Sequence, residues 1–486
     1  MYRRFYRTFV EYTSVRHPEI KRKNNLNRLS VKDIEYFESL LGKSRVLTQD
    51  VSSYNIDWNK SVRGQSECVL RPKTTEEVSL IMKRCHERSL GVVPQGGNTG
   101  LVGGSNPVFD EIILSTEAMN SILDVDVYSS VATVQSGVIL EKLDSHLKEK
   151  GLMVPLDLGS KGSCQVGGNA STNAGGLRFL RYGSLRGNIL GLEVVLPTGE
   201  ILDCLSTMKK DNTGYDLKQL FLGSEGTLGI ITKVSLQCPA RPKAVNVALL
   251  ACSNFQDVLD TFVAARSNLS EILSSFEFMD NESMNAVTQL LRLTSPIGTE
   301  DSFYVLIEVS GSNADHNDEK LDTFLNSLPK IRNGILATSL TQMKSIWELR
   351  ERITESLLHD GYVYKYDISL PLVQFYKTVE LMRQRLPGRR VVGYGHIGDG
   401  NLHLNVTSSE YEKETLDLIE PFIYGHVQKM GGSISAEHGI GLKKRNFLNM
   451  TRSTSAIDWM KKIKSLVDPD GILNPYKVLP DNIKSN

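Results

Sequence analysis

Glycine is concentrated in three segments of the first half of the chain, residues 94–104, 156–176 and 211–229. Glycine permits positive φ and lets backbone N–H groups approach a ligand closely, and runs of such groups form concave nests for anions. Tight turns in a sheet of small residues would explain any one segment, whereas three together favour a long diphosphate ligand. None contains Gly-Lys-Ser/Thr, so a nucleotide triphosphatase loop is excluded.

The sequence around these glycines alternates between short β-branched runs, such as residues 192–196, and a few helical patterns, such as residues 138–150. This texture predicts an α+β fold. Folded structure is expected to begin at Ser30, which can cap a helix with Asp33 nearby and Gly42 as its stop.

A polar hairpin is predicted at residues 393–405. A two-residue turn at Asp399-Gly400 would place His396 directly opposite His403, with Cβ atoms about 4.5–5.5 Å apart on one face. Two imidazoles so placed suit a single Zn²⁺, with Glu437 as third ligand. Histidines bonded to backbone are the alternative, but two opposed across a turn, together with Glu437 and His438, favour a metal site.

The start of this hairpin, residues 393–398, also matches the Gly-x-Gly-x-x-Gly dinucleotide fingerprint. That fingerprint needs a following helix N-terminus aimed at the pyrophosphate, whereas a second strand, residues 401–406, follows here. A Rossmann interpretation is therefore rejected.

Charge and cysteine content narrow the class of protein. The 486 residues carry 56 basic and 56 acidic side chains, a balance that argues against nucleic acid as the main partner. Six scattered cysteines without Cys-x-x-Cys indicate neither a disulfide framework nor a thiolate metal site, and fit a reducing compartment. No apolar run approaches the roughly 20 residues that span a bilayer.

The extreme N-terminus is rich in arginine with aromatic residues at helical spacing, as in a mitochondrial transit peptide. Glu11 and Glu19 weaken this interpretation, so a transit peptide and a disordered basic tail remain equal alternatives for residues 1–29. Farther along, a proline-bearing linker at residues 238–242 is the expected domain boundary.

Several segments resemble the vanillyl-alcohol oxidase-type flavoproteins, and within them the dehydrogenases of D-2-hydroxy acids. The matching motifs are residues 94–104, 159–183, 211–232, 347–354, 364–366, 393–405, 436–439 and 473–477. The resemblance runs from about residue 66 to residue 480. It implies an α+β fold with a two-subdomain FAD-binding domain (30–240), an α+β substrate and metal domain (241–454) and a small C-terminal segment (455–486) returning to the flavin.

The same resemblance implies which residues bind FAD. They are Pro94, Gln95, Gly96, Gly97, Asn98, Thr99, Gly100, Gly159, Gly162, Ser163, Gly167, Gly168, Asn169, Thr172, Asn173, Gly175, Gly176, Tyr182, Gly183, Glu225, Gly226, Gly229, Ile230 and Asn474. Residues 95–104 contain neither His nor Cys, so the FAD is expected to be bound non-covalently.

The resemblance further implies an FAD- and metal-dependent dehydrogenase that passes a hydride from (R)-2-hydroxyglutarate to the flavin. D-lactate and D-malate remain open as substrates. The metal, Zn²⁺ with Mn²⁺ or Co²⁺ as alternatives, is held by His396, His403 and Glu437, while His438 takes the hydroxyl proton. Neighbouring residues in extended backbone point apart, so Glu437 and His438 are expected to have separate roles, and which has which stays open.

Substrate carboxylates need cationic partners. In a helix predicted over residues 345–359, an apolar stripe places Arg350 at its edge and Arg352 away from it. A partly buried guanidinium requires an anion, either a substrate or an internal carboxylate. By resemblance, the substrate-binding residues are Arg350, Thr354, Lys365, Asn405 and His438; taken alone, Lys365 would be interpreted as solvated.

Two other classes of function share part of this pattern. A metallohydrolase or non-haem iron oxygenase could use the same two-histidine, one-carboxylate set, but the glycine segments argue against it. A non-catalytic FAD-binding subunit would not need the metal set. Without haem or iron–sulfur motifs, electrons must leave to a partner, and the resemblance suggests electron-transfer flavoprotein in the mitochondrial matrix.

Overall fold

A computed structural model describes residues 11–328 and 331–480. Residues 1–10, which carry most of the transit-peptide signal, lie outside the described part. Residues 11–29 are not a tail, because Thr13, Ile20 and Leu26 are buried and the Thr13 N–H donates to the Arg63 carbonyl at 2.8 Å. Folded structure therefore begins before Ser30, and that expectation was wrong.

The first half of the chain forms two sheets. One has four strands in the order β1-β2-β4-β3, with β2, β4 and β3 parallel, and the other has five antiparallel strands in the order β5-β6-β9-β7-β8. The strands are β1 Val46–Leu47, β2 Val69–Leu70, β3 Val92–Gln95, β4 Ile112–Ser115, β5 Ile122–Asp126, β6 Val131–Gln135, β7 Ile189–Val195, β8 Ile201–Cys204 and β9 Ile230–Gln237. The helices are α1 Thr13–Arg16, α2 Val31–Leu41, α3 Ser52–Asn55, α4 Thr75–Arg88, α5 Leu140–Lys148, α6 Val166–Thr172, α7 Phe179–Tyr182 and α8 Leu185–Asn188.

The second half forms one seven-stranded antiparallel sheet in the order β13-β10-β12-β11-β15-β16-β14. Its strands are β10 Ala244–Cys252, β11 Leu273–Asp280, β12 Phe303–Gly311, β13 Asn333–Leu336, β14 Tyr362–Ser369, β15 Val391–His396 and β16 Asn401–Ser408. Its helices are α9 Phe255–Asn268, α10 Asn281–Leu290, α11 Ala314–Asn326, α12 Leu340–Glu351, α13 Ile353–Leu357, α14 Phe375–Arg385 and α15 Lys413–Lys429; α16 Thr454–Val467 follows.

Helices cover both faces of the seven-stranded sheet. Apolar side chains of α9, α11, α14 and α15 pack on one face, and those of α10, α12 and α13 pack on the other. Burial of apolar surface, at roughly 25 cal/mol per Å², fixes the sheet between these layers. The second layer lies over the face that carries Val392 and Tyr394, so any site on that face is enclosed.

Local signals placed both ends of α2 correctly. Ser30 and Asp33 form the reciprocal capping box of α2, which ends at Gly42 as expected. The helix predicted over residues 345–359 is instead broken, since α12 ends at Glu351 and α13 begins at Ile353.

The C-terminal segment returns to the first sheet. Leu473 bridges to Val92 in parallel, and the Asn474 side chain donates to the carbonyls of Gly104 and Glu225 at 2.9 and 2.8 Å. The other end of the described chain meets this segment, since the Lys23 N–H donates to Tyr476 Oη at 2.9 Å. Among the described helices, none combines the length and apolar character needed to cross a bilayer.

Candidate active site

Polar side chains form rows across one face of β11, β15, β16 and β14. Residues directly opposite in antiparallel strands share a face. One row joins Glu277, His396 and Asn401, the next joins Tyr394, His403 and Asp367, and a third pairs Asn405 with Lys365. The sheet therefore brings four of the eight predicted metal and substrate residues, His396, His403, Lys365 and Asn405, onto one surface.

The two histidines share a face but are not directly opposed. His396 pairs with Asn401 and His403 pairs with Tyr394, because the hairpin loop contains residues 397–400 rather than Asp399-Gly400 alone. The register differs from the predicted one by two positions, an even number, so the face is unchanged. The imidazoles meet diagonally, with 3.3 Å between their Nε2 atoms. Tyr394 and Asn405 lie on the same face, where the Asn405 side chain donates to Tyr394 Oη at 3.1 Å.

The loop that carries Glu437 and His438 is held from both sides. The backbone N–H groups of Glu437 and His438 donate to Asp367 Oδ2 at 3.0 and 2.9 Å. Two residues farther on, the N–H groups of residues 440 and 441 donate to the Glu225 carboxylate, both at 2.7 Å. These contacts join the glycine-rich region to the sheet at the site itself.

The nitrogen and oxygen donors have spacings that fit a metal ion. Glu437 Oε1 lies 3.6 Å from His403 Nε2, which is itself 3.3 Å from His396 Nε2. Adjacent ligands of a tetrahedral ion with bonds of about 2.1 Å are about 3.4 Å apart. Ligand atoms of Asp367, His403, Glu437 and His438 also lie within 4.8 Å of one another. Asp367, however, already accepts from two backbone N–H groups and from Asn401.

Burial and neighbouring charges set the protonation of these groups. Burial lowers the pKa of His438 to about 4, so its ring is neutral at neutral pH. Burial would also lower the pKa of His396, but the Glu277 carboxylate against Nδ1 raises it to about 9. Burial raises the pKa of Glu437 to about 7. A metal ion here must therefore displace protons when it binds.

The predicted substrate residues line the same cavity. Arg350, Thr354, Lys365, Asn405 and His438 surround it together with His396, His403 and Glu437. Arg350 is buried and Arg352 pairs with Glu355 at the surface, as the helical periodicity predicted.

Arg350 also forms an ion pair with an internal carboxylate, which was the alternative to a substrate anion. Nε donates to Glu277 Oε2 at 3.0 Å, and Nη2 lies 2.9 Å from the same oxygen. Despite that proximity, Nη2 is buried and is not aligned for a hydrogen bond with any described residue. The Thr354 hydroxyl bonds to Tyr394 Oη at 2.7 Å on the same wall.

Lys365 is not solvated. Its ammonium donates to Asn59 Oδ1 at 3.0 Å and lies 4.9 Å from the Trp58 ring centroid. Burial and the nearby Lys443 lower the pKa of Lys365 to about 7. A loop of the first half of the chain therefore covers a side chain of the substrate cavity.

A second cavity adjoins the first and is formed by the glycine-rich segments. Its walls include the predicted residues Pro94, Gln95, Gly96, Gly97, Asn98, Thr99, Gly100, Gly167, Gly168, Asn169, Thr172, Glu225, Gly226, Gly229 and Ile230. Glycine is required at 97, because a Cβ there would lie 2.0 Å from the Ser163 carbonyl oxygen. His438 lies on the walls of both cavities.

The polar atoms of this cavity suit a hydrogen-bonding cofactor. Ser136 Oγ and Asn169 Oδ1 are buried on its wall without a hydrogen-bond partner among the described residues. Buried polar groups left unpaired are costly, so a bound ligand is expected to satisfy them. These polar atoms and the glycines of the wall fit FAD.

Other predicted cofactor residues lie elsewhere. Gly159 and Gly176 line the cavity of His396 and His403, and Gly162 and Ser163 line a polar recess continuous with Gly96 and Gly97. The residues outside these walls are Asn173, Gly175, Tyr182, Gly183 and Asn474. Gly175 has a different use, since a Cβ there would lie 2.7 Å from Glu437 Oε2.

Comparison with known proteins now bears on this site. Residues 66–205 match the sequence family "FAD binding domain", and residues 241–478 match "FAD linked oxidases, C-terminal domain". A Danio rerio relative named mitochondrial D-2-hydroxyglutarate dehydrogenase is 56% identical over 463 residues, covering 94% of this chain and 87% of the relative. The chain belongs to the D-2-hydroxyglutarate dehydrogenase family of FAD-linked oxidases. The predicted FAD-dependent 2-hydroxy acid dehydrogenase is thereby confirmed at the level of the family.

Other relatives of this chain are named for different activities. A putative mitochondrial D-lactate dehydrogenase of Schizosaccharomyces pombe is 48% identical and covers 97% of this chain and 93% of its own. A D-2-hydroxyglutarate–pyruvate transhydrogenase of Saccharomyces cerevisiae is 46% identical, with 97% and 99% covered. Family membership alone therefore does not decide between these substrates and electron acceptors.

Solved structures confirm the expected fold of this family. p-Cresol methylhydroxylase with substrate bound has a TM-score of 0.76 at 16% identity and covers 93% of this chain and 98% of its own. 4-Ethylphenol oxidase from Gulosibacter chungangensis has a TM-score of 0.73 at 18% identity. At these identities the likeness shows the fold alone, the α+β vanillyl-alcohol oxidase type.

Proposed function

We propose that this chain oxidises (R)-2-hydroxyglutarate to 2-oxoglutarate, with FAD in the glycine-rich cavity and a divalent metal ion held by His396, His403 and Glu437. The observation that carries the proposal is the position of His438 on the walls of both cavities. A group that removes a hydroxyl proton must stand between metal and flavin, because proton and hydride leave the same C–OH unit. The Danio rerio relative is named for this substrate.

His396, His403 and Glu437 are preferred as ligands over a set containing Asp367. The Nδ1 atom of His396 faces Glu277 at 2.8 Å, which leaves Nε2 directed toward His403. The oxygens of Asp367 are occupied by backbone and amide donors. Zn²⁺ fits the nitrogen and oxygen donors, with Mn²⁺ or Co²⁺ as alternatives.

With both groups bound in their cavities, the metal ion would lower the pKa of a coordinated hydroxyl, and the flavin would accept a hydride. The chain's own contribution to the proton transfer is His438, whose low pKa keeps the ring neutral and able to accept a proton. The backbone bonds from residues 437 and 438 to Asp367 fix the loop that carries that ring.

Arg350 and Lys365 supply the two cations that a dicarboxylate requires. Arg350 Nη2 is buried and has no hydrogen bond with the residues that the structure describes, so a substrate carboxylate would supply its acceptor. Lys365 lies on the same cavity wall, with Thr354 and Asn405 as neutral donors. This second cation is what favours 2-hydroxyglutarate or D-malate over D-lactate.

FAD is proposed to be dissociable, because the segment of residues 95–104, where the family resemblance would place a covalent link, contains neither His nor Cys. Relatives named mitochondrial support the same compartment, and we place the protein in the matrix. Electron-transfer flavoprotein is the proposed acceptor of the flavin electrons. Reoxidation of the reduced protein by purified electron-transfer flavoprotein, compared with oxygen, tests that assignment.

Anaerobic mixing of the yellow holoprotein with candidate acids tests the substrate. We expect (R)-2-hydroxyglutarate to bleach the flavin at a higher rate and lower concentration than D-lactate, and the S enantiomer to leave it oxidised. D-malate separates the effect of two carboxylates from the effect of chain length. Equal efficiency with D-lactate would contradict the role of the second cation.

A further inference from the structure

Glu277 lies between two of the groups to which the proposed function assigns roles. It is a fully buried residue of β11, and Ser275 Oγ donates to its Oε1 at 3.0 Å. Oε1 is 2.8 Å from His396 Nδ1, and Oε2 accepts from Arg350 Nε at 3.0 Å. One carboxylate therefore contacts both a metal ligand and the proposed carboxylate-binding guanidinium.

Each contact has a separate physical consequence. A carboxylate against Nδ1 holds a proton on that nitrogen, so Nε2 is the nitrogen of His396 that faces His403 and becomes a metal ligand once its own proton has left. The contact with Arg350 neutralises a guanidinium that would otherwise be buried without an anion. It also orients the guanidinium, whose carbon lies 4.7 Å from the Tyr394 ring centroid, at the wall of the cavity.

We propose that Glu277 is a positioning residue shared by metal binding and substrate recognition. This inference rests on the proposed function, because it needs His396 as a metal ligand and Arg350 as a carboxylate partner. Glu277 touches neither ion nor substrate, and it acts by fixing the side chains that do. Metal affinity and substrate affinity then depend on one side chain and weaken together when it is changed.

Glu277→Gln separates this role from simple packing, because an amide has the same size but a single acceptor oxygen. It cannot serve His396 and Arg350 together, and it removes the negative charge from both. We expect the metal affinity of the flavin-loaded protein, measured by competition with a chelator, to fall about 10–100-fold. The KM for (R)-2-hydroxyglutarate, measured at saturating metal, should rise about tenfold or more.

Glu308→Gln is the matched control. Glu308 lies on the neighbouring strand β12, where its carboxylate accepts from Ser274 Oγ at 2.8 Å and Trp347 Nε1 at 3.0 Å. Because neither partner is His396 or Arg350, metal affinity and KM should stay within twofold of the native values. Glu277→Asp provides a second variant in case the amide fails to fold, since its shortened side chain cannot reach both partners and should weaken both affinities.

The outcomes distinguish a failure of the proposed role of Glu277 from a failure of the proposed function. Native protein that binds metal, with a Glu277→Gln variant in which both values are unchanged or only one moves, overturns the shared role and leaves the proposed function standing. Native protein that binds no metal in the titration overturns both. A joint loss that Glu308→Gln does not reproduce, with flavin content retained, supports the role of Glu277.

Discussion

The Nε2 atoms of His396 and His403 lie 3.3 Å apart on a buried face of the seven-stranded sheet. Both rings are held by other contacts, since Nδ1 of His396 faces Glu277 and Nδ1 of His403 lies 3.9 Å from Asp367. Two buried nitrogen lone pairs brought together in this way need a shared proton or a cation between them. The nearby Glu437 carboxylate favours the cation.

Loss of either histidine should therefore remove the metal and spare the flavin. We expect His403→Ala to lose metal affinity by more than the roughly 10–100-fold typical of an outer-shell change. FAD content, read from absorbance, should stay near native because the glycine-rich cavity uses other residues. His426→Ala is the control, since His426 bonds to Thr378 at 3.1 Å away from the site. Full metal content in His403→Ala contradicts the assigned ligand set.

Arg350 and Arg352 should differ sharply in their effect on substrate binding. Arg350→Lys keeps a charge but loses the planar fork, and a lost charge-assisted hydrogen bond costs about 1.5–3 kcal/mol. We therefore expect KM for (R)-2-hydroxyglutarate to rise roughly 10–150-fold, measured by steady-state kinetics. Arg352→Lys should change it little, because Arg352 pairs at the surface with Glu355. Similar KM values for the two variants would show that Arg350 does not contact substrate.

Lys365 should make dicarboxylate binding depend on pH. Burial and the Lys443 charge lower the pKa of Lys365 to about 7, with Asp57 opposing them. The side chain is thus a cation below pH 7 and neutral above it, so KM for (R)-2-hydroxyglutarate should rise as pH increases through 7. Lys365→Arg keeps its charge at all these values and should flatten that rise. An unchanged KM profile in Lys365→Arg assigns the pH dependence to another group.

His438→Ala should affect chemistry more than metal binding. A general base typically contributes about 10²–10⁴-fold, so kcat should fall by that order while FAD and metal remain bound. Glu437→Gln should show the reverse order of effects, with metal loss first. Metal analysis and single-turnover flavin reduction measure the two effects separately. If His438→Ala loses its metal and Glu437→Gln keeps it, the two roles must be exchanged.

Part of this site could be predicted from sequence, because the face on which a strand side chain lies is unchanged by a register shift of an even number of residues. Turn chemistry at Asp399-Gly400 indicated the hairpin but gave the wrong loop length. Ile397 is fully buried and its N–H donates to the Phe276 carbonyl at 3.2 Å, so packing rather than the turn sets the register. The shift of two residues preserved the face shared by His396 and His403, and with it the metal hypothesis.

The supporting side chains were missed because their roles arise only in the folded chain. Glu277 stands between Phe276 and Phe278 in an apolar strand, and a carboxylate there indicates a buried partner without saying which one. Asp367 had the same signal on its own strand. Asn59 and Trp58 reach Lys365 from a distant loop, and nothing in the local sequence pattern indicates that contact.

The metal dependence of flavin reduction by the substrate is the most direct test of the proposed metal site. The rate of anaerobic flavin reduction by (R)-2-hydroxyglutarate is measured in native protein, after exhaustive chelation and after addition of Zn²⁺, Mn²⁺ or Co²⁺, with metal content determined at each stage. We expect the chelated protein to keep its FAD, to lose rapid reduction and to recover it with at least one of these ions. Undiminished reduction in protein shown to be metal-free would contradict it.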